Sequence, residues 1–235
     1  MYNVRLVCEG STDHVVLEAV LFAHLNTPDF RVSRIQPDES LYGGDAGPHG
    51  GGWKGVRGWC QSVRDAGGIQ AVGALSKDVD LLVIHVDADI LLDPEHDASN
   101  ACPPPDANIL AAEAIVMQWL GLNHLPEKVL IWVPSMATEA WLLRAAFPGV
   151  PESLSCLTSP PPSVCVECVE DPAGALEGKR PKFVRRKGKG DLKKIVSAYR
   201  VAIPLVSAAW GDLTNNLWSA DRLQQGLSRW IPVST

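Results

Sequence analysis

The sequence predicts an α/β protein: a mainly parallel central sheet with helices on both faces. Two observations predict it. Short apolar runs alternate with amphipathic helical stretches, the pattern of parallel crossover units. Three of those runs are followed closely by acidic residues. In an open parallel sheet the C-terminal strand ends share one edge, and that edge is where such sheets carry their sites.

Tyr2 to Cys8 reads as a buried first strand ending at Glu9-Gly10. Ser11 or Thr12 caps a helix from about Asp13 to Leu25, with Val16, Val20 and Leu21 on its apolar face. Phe30 to Ile35 is a short second strand. The stretch 36–52 holds too many Gly and Pro residues for regular structure and contains no GxxxxGK[ST] phosphate loop. A helix is expected over Trp53 to Ala66. Leu81 to Val86 is the clearest strand in the chain and runs into Asp87-Ala88-Asp89.

Asp106 caps a helix from Ala107 to Leu120, stopped by Gly121. Lys128 to Val133 is the next strand. Pro134-Ser135 leads into a helix from Ala137 to Ala146. Residues 147–190 read as a long Pro-, Cys- and Lys/Arg-rich loop, followed by a helix from about residue 191 to Arg200 that continues toward Pro204. A last helix covers Leu217 to Trp230. Residues 1–200 are expected to form the site-bearing domain, with long loops at 36–52 and 147–190, and 201–235 to pack on it as C-terminal helices.

With 235 residues, 46% of them hydrophobic, the chain can bury a large core. No apolar run approaches the roughly 20 residues of a membrane span, and the N-terminus turns acidic by Glu9. The expectation is a cytoplasmic protein without a membrane association. The six cysteines do not read as a disulfide framework in a chain of this length. Cys165-Val-Glu-Cys168 is one CxxC pair, short of the four ligands of a structural zinc site, so no zinc is assigned.

Charge is unevenly distributed. Of 21 basic and 27 acidic residues, nine basic residues and one acid lie between Lys179 and Lys194, leaving 12 and 26 elsewhere. The basic residues are Lys179, Arg180, Lys182, Arg185, Arg186, Lys187, Lys189, Lys193 and Lys194. Such a strip on an acidic body suits a polyanion; a solvated charge run is the plain alternative.

The acids carry the chemistry. Glu9 and Asp13 are four apart at a helix start, so their side chains can meet. Asp87 and Asp89 are two apart, so in extended backbone both point the same way. Ser135 and Glu139 follow the next strand. Five carboxylates on one edge repel unless some are protonated or a hard cation neutralises them. Mg²⁺, or Mn²⁺, suits an oxygen-only donor set. His85 inside the strand reads as a core or sheet-face histidine, and His14 lies beside Asp13.

Glu9-Gly10, Asp13, Asp87-x-Asp89 and Glu139-Ala140-Trp141-Leu142-Leu143 together resemble the Toprim domain. The similarity is greatest to stand-alone bacterial Toprim-like proteins related to the nuclease half of the overcoming-lysogenization-defect (OLD) family. That resemblance implies a Rossmann-like Toprim fold and Mg²⁺-dependent hydrolysis of phosphodiester bonds in nucleic acid, DNA rather than RNA, with one or two ions. It implies metal ligation by Glu9, Asp13, Asp87, Asp89 and Glu139, with Glu9 as ligand or general base. It also implies a catalytic lysine, Lys189 or, second, Lys187, and a separate ABC/OLD-type ATPase partner in a defence system. The Trp210 to Trp230 region suits either core packing or a homodimer interface. Two rivals stand beside this reading. One is a regulatory Toprim-like partner without catalysis of its own. The other is a haloacid-dehalogenase-like phosphatase with Asp87 as covalent nucleophile, against which stands the late position of the DxD.

Overall fold

The structure, a computed structural model, describes residues 1–37, 47–96, 102, 104–155, 165–187 and 191–232. Four strands, β1 (Tyr2–Val7), β2 (Phe30–Gln36), β3 (Leu81–His85) and β4 (Val129–Trp132), form one sheet in the order β2-β1-β3-β4. Every pairing is parallel, with Leu6 opposite Val83 and Ile84 opposite Ile131. The α/β expectation therefore holds, and the strand ends at Glu9, Asp87 and the β4 exit share one edge.

Side chains alternate cleanly through the sheet, as the period of two requires. Val4, Leu6, Leu81, Val83 and Trp132 face one layer, with α1 (Ser11–Leu25) and α4 (Glu139–Ala146). Two C-terminal helices, α6 (Val196–Asn216) and α7 (Trp218–Trp230), complete that layer; between α4 and α6 the chain forms the single turn α5 (Pro172–Ala175). Val7, Leu82, Ile84, Val129 and Ile131 face the other layer, with α2 (Gly52–Asp65) and α3 (Pro105–Leu120). Position 200 falls inside α6, which runs on through Pro204. Gly226 allows α7 to approach β4, since a Cβ there would stand 2.4 Å from Leu130 Cδ1.

Three expectations are corrected. Residues 191–194 do not start a helix. They form β6 (Asp191–Lys194), antiparallel to β5 (Val184–Lys187), in a separate two-stranded sheet. Two short runs joined through Gly188 and Gly190 carry a hairpin signal, which the density of charge masked. Second, Asp87 and Asp89 do not share one extended strand. β3 ends at His85, Asp87 is extended, and Asp89 lies in a 3₁₀ turn over Ala88–Leu92. Third, cysteines do pair. Cys102 and Cys168 form a disulfide with a Cα–Cα distance of 5.4 Å, and Cys165 is also disulfide-bonded. Cys8 and Cys60 are buried thiols.

The turn that carries Cys168 also anchors α7. Glu167 is fully buried, and its carboxylate accepts from the N–H groups of Trp218 at 2.7 Å and Ser219 at 2.9 Å, and from Ser219 Oγ at 2.5 Å. These are first-turn donors that no intrahelical carbonyl satisfies. An acid there also complements the positive helix end. Glu167→Ala leaves both N–H groups without this acceptor, that of Ser219 in a buried setting. The expected loss is about 2–3 kcal/mol, read as a lower urea midpoint at unchanged m-value. A variant within about 0.5 kcal/mol of wild type contradicts this role for the carboxylate.

Candidate functional site

β1 hands over to α1 through Glu9 and Gly10. Gly10 is the extended N-cap, and its N–H donates to Asp13 Oδ2 at 2.8 Å, which fixes that buried carboxylate under the helix start. Glu9 reaches across the sheet edge instead. Its Oε1 accepts from the N–H of Asp87 at 2.8 Å, tying the end of β1 to the end of β3. Asp87 Oδ1 accepts from the N–H of Thr138 at 3.1 Å, which adds the β4–α4 turn to the same network. That turn contains Met136 at a left-handed φ of 62°, buried, with its carbonyl accepting from the N–H of Asp89 at 3.1 Å. A left-handed non-glycine residue at a site loop costs energy and persists only when its surroundings hold it.

Two basic side chains lie among these acids. His85, fully buried, has Nδ1 3.5 Å from Asp13 Oδ2 and Nε2 3.4 Å from Asp87 Oδ1. At those distances the pairing is Coulombic, not two aligned hydrogen bonds. Its ring also packs on Trp132, centroid to centroid 4.3 Å. Lys194, at the end of β6, brings Nζ to 2.9 Å from Glu139 Oε1, and the Tyr199 hydroxyl donates to the same oxygen. Glu139 Oε2 and Thr138 Oγ1 are buried without a hydrogen-bond partner.

Electrostatics separate Asp87 from Glu9 and Asp89. Burial raises Glu9 well above the ordinary carboxylate range, and Asp87, Asp89 and Asp13 add repulsion. Burial and Asp87 push Asp89 up to about 7, although its side chain meets solvent. Burial also acts against ionised Asp87, but His85, Lys194 and the Thr138 N–H outweigh it and hold Asp87 below its ordinary range. For His85 and Lys194, burial opposes the charged form. Asp13 and Asp87 outweigh it at His85; Glu139, Asp87 and Asp13 do so at Lys194; both groups are raised. Asp13, Asp87 and Glu139 thus have basic side chains beside them, while burial and neighbouring carboxylates favour the protonated forms of Glu9 and Asp89.

The sequence-derived residues fall out as follows. Glu9, Asp13, Asp87, Asp89 and Glu139 come to one edge. Among the described residues, no three His, Cys, Asp or Glu side chains already form a metal cage. A divalent ion fits by donor chemistry: carboxylate oxygens, with Glu9 and Asp89 holding protons that a cation would replace. Lys189 lies outside the described residues, as does the side chain of Lys187. Arg185 and Lys193 are exposed on the hairpin, and Lys182 is exposed before it. Arg186 pairs with Glu177, its Nε 3.0 Å from Oε1. Lys179 packs over the Phe147 ring and Arg180 is exposed. Lys194, placed by sequence in the anion-binding strip, turns inward to Glu139.

Sequence reasoning missed Lys194 and Tyr199 as site groups and His85 as the link between acids. Only His85 carried a usable signal, since a histidine two residues before a strand-end acid shares its face in extended backbone and is placed to pair with it.

Comparison with known proteins returns no matching family model, no matching curated protein and no matching solved structure. No helix among the described residues is long and apolar enough to cross a membrane.

The pH dependence follows from the raised groups. Glu9 and Asp89 keep protons in the fold that they lose when unfolded, at 4.5 and 3.8, so their contribution is present below those values and lost as pH rises. For Asp89 the loss is complete near 7. His85 likewise contributes fully below 6.5 and loses its contribution as pH passes its raised value. Asp87 acts oppositely, but only below 3.8. Between about pH 4 and about pH 7 the loss from Asp89 should outweigh the opposite contribution of His14, whose basicity is lowered by burial, so the metal-free protein should lose thermal stability across that range and Asp89→Asn should flatten the slope. A melting temperature that climbs over this range contradicts the assignment.

Proposed function

We propose that this chain is a divalent-metal-dependent phosphodiesterase acting on nucleic acid, of the Toprim and OLD-nuclease kind. The observation that carries the reading is the union of two strand ends. Glu9 is bonded to the backbone of Asp87 at 2.8 Å, and Glu9 and Asp89 bear raised protons beside it. An edge at which burial and neighbouring carboxylates raise Glu9 and Asp89 suits a hard cation, Mg²⁺ or Mn²⁺. Glu9, Asp87 and Asp89 would hold it. Asp13 and Glu139 lie on the same edge beside His85 and Lys194, so the arrangement is compatible with one ion or two.

When bound, a divalent ion supplies Lewis-acid polarisation of a phosphoryl oxygen and lowers the pKa of a water. The protein's groups do the rest. Thr138 N–H and His85 fix the orientation and ionisation of Asp87. Lys194 sits where positive charge can stabilise a phosphorane that gains negative charge, the role sequence gave to Lys189 or Lys187. Arg185, Lys193 and Lys182 present exposed charge on and beside the hairpin to hold a phosphate backbone. The phosphatase alternative is less well supported. Asp87 is only 5% exposed and its oxygen already accepts from Thr138 N–H, which leaves a covalent nucleophile little approach. By the same resemblance, an ABC/OLD-type ATPase is the partner proposed.

Plasmid DNA, single-stranded DNA and RNA incubated with Mg²⁺, Mn²⁺ or EDTA test the reading. Cleavage should need the metal, favour DNA, and fall at least about 100-fold in Glu9→Ala, Asp87→Ala and Lys194→Met. Cleavage that persists in EDTA and in these variants places the activity elsewhere. Mg²⁺ should also raise the melting temperature at about pH 8, where it replaces lost protons, and have little effect at about pH 5.

A further inference from the structure

Glu139 opens α4 with its two carboxylate oxygens in different states. Oε1 receives two donors, Lys194 Nζ at 2.9 Å and the Tyr199 hydroxyl. Oε2 is buried without a hydrogen-bond partner, as is Thr138 Oγ1 one residue earlier. Both residues are at most 1% exposed. A buried oxygen left bare is costly, and native structures seldom keep one unless something else binds it. Backbone bonds put these bare atoms at the acidic edge. Thr138 N–H donates to Asp87 Oδ1, and Asp89 N–H donates to Met136 O, each at 3.1 Å. The start of α4 is thus tied to the acids that β3 delivers.

Tyr199 is placed to hold the other oxygen still. It lies in the first turn of α6, whose N-cap Ile195 donates its N–H to Phe183 O at 2.8 Å. That bond joins the helix start to the foot of the hairpin that carries Lys194. The Tyr199 ring packs edge-on against Phe183 with centroids 5.9 Å apart, and Phe183 packs edge-on against Phe147 at 6.3 Å. Phe147 is the C-cap of α4. The helix that begins at Glu139 therefore ends on the same aromatic row that sets the tyrosine ring. The two donors to Oε1 differ in what they can fix. An ammonium is a point charge on a flexible stem, so it sets a distance and not an orientation. A hydroxyl on a packed ring has a set position, and together with the lysine it stops the carboxylate from turning.

We infer that Tyr199 is a positioning residue: by gripping Oε1 of Glu139 it presents Oε2 to a divalent ion bound at the acidic edge. Resting on the metal-dependent reading above, this role adds a group that acts only through another side chain. Partners that orient a metal ligand in this way typically contribute about 10- to 100-fold in metal affinity.

Titration of the full chain with Mn²⁺, followed by the electron paramagnetic resonance of the free ion, tests the role without any cleavage. Tyr199→Phe should bind Mn²⁺ about 10-fold more weakly than wild type. Glu139→Gln should lose at least as much. Adding Tyr199→Phe to Glu139→Gln should weaken binding no further, because the tyrosine acts through that carboxylate. A hydroxyl that serves stability alone lowers the melting temperature in EDTA and leaves Mn²⁺ affinity unchanged. That result, or a double variant weaker than Glu139→Gln, overturns the inference. A second measurement needs no change at Tyr199. Fluorotyrosine labelling gives three fluorine resonances, and Tyr2→Phe and Tyr42→Phe identify two of them. The remaining one, from Tyr199, should shift when Mg²⁺ is added; an unmoved signal at saturating Mg²⁺ overturns the inference as well. Failure of the wider reading looks different. Wild type that binds no Mn²⁺ overturns the metal site and this role with it. Binding lost in Glu9→Ala and Asp87→Ala but intact in Tyr199→Phe overturns the positioning role alone.

Discussion

Five carboxylates gathered at one sheet edge are the constraint to which the surrounding structure answers. Left ionised and bare in a partly dry setting, they would push the strand ends apart. The molecule meets this in two ways. On the inner side it inserts its own cations, His85 between Asp13 and Asp87, and Lys194 against Glu139. On the outer side it lets Glu9 and Asp89 keep protons. The division gives the edge a rigid inner half, whose charges are settled in the fold, and an outer half whose charge depends on what arrives from solution.

Backbone groups then convert this balance into position. Glu9 holds the Asp87 N–H, Asp87 holds the Thr138 N–H, and Met136 receives the Asp89 N–H. Three strand exits are thereby laced together by donors that parallel pairing leaves free. Behind them, Trp132, Trp141 and Trp210 pack in sequence as tilted pairs with centroids 5.5 and 5.6 Å apart, and carry the packing from the His85 ring out to α6. Two of the indoles are anchored by hydrogen bonds, Trp141 to Ser219 and Trp210 to Gln224, so the C-terminal helices act as the rear wall of the site.

What sequence could show followed from short-range pattern. Strand runs ending at Glu9 and at Asp87, and the helix beginning at Glu139, were legible because apolar periodicity and chain order imply a shared edge in a parallel sheet. Lys194 and Tyr199 were not, because their place depends on a hairpin and a helix that return to Glu139 from 55 and 60 residues away. The direction of Asp89 was missed for a local reason: the chain leaves extended geometry just past Asp87 and turns 3₁₀. Composition misled at the cysteines. Length argued against a disulfide framework, yet Cys102 and Cys168 meet, since α3, β4 and α4 bring the two loops that flank them together.

That bond has a consequence of its own. It closes a loop with a sequence separation of 66, which in the chain-entropy view removes about 4 kcal/mol of freedom from the unfolded chain. Inside the loop are β4, Met136, Thr138 and Glu139, and one residue before its closing cysteine is Glu167, whose carbonyl accepts from Ser135 Oγ at 2.7 Å. The third strand exit thus lies inside a covalently closed loop and is bonded to the turn beside its closing cysteine. Disulfides of this kind persist in oxidising surroundings and are rare in a reducing cytosol. The thiol state of the surroundings therefore belongs among the variables that define this molecule, alongside pH and divalent cation.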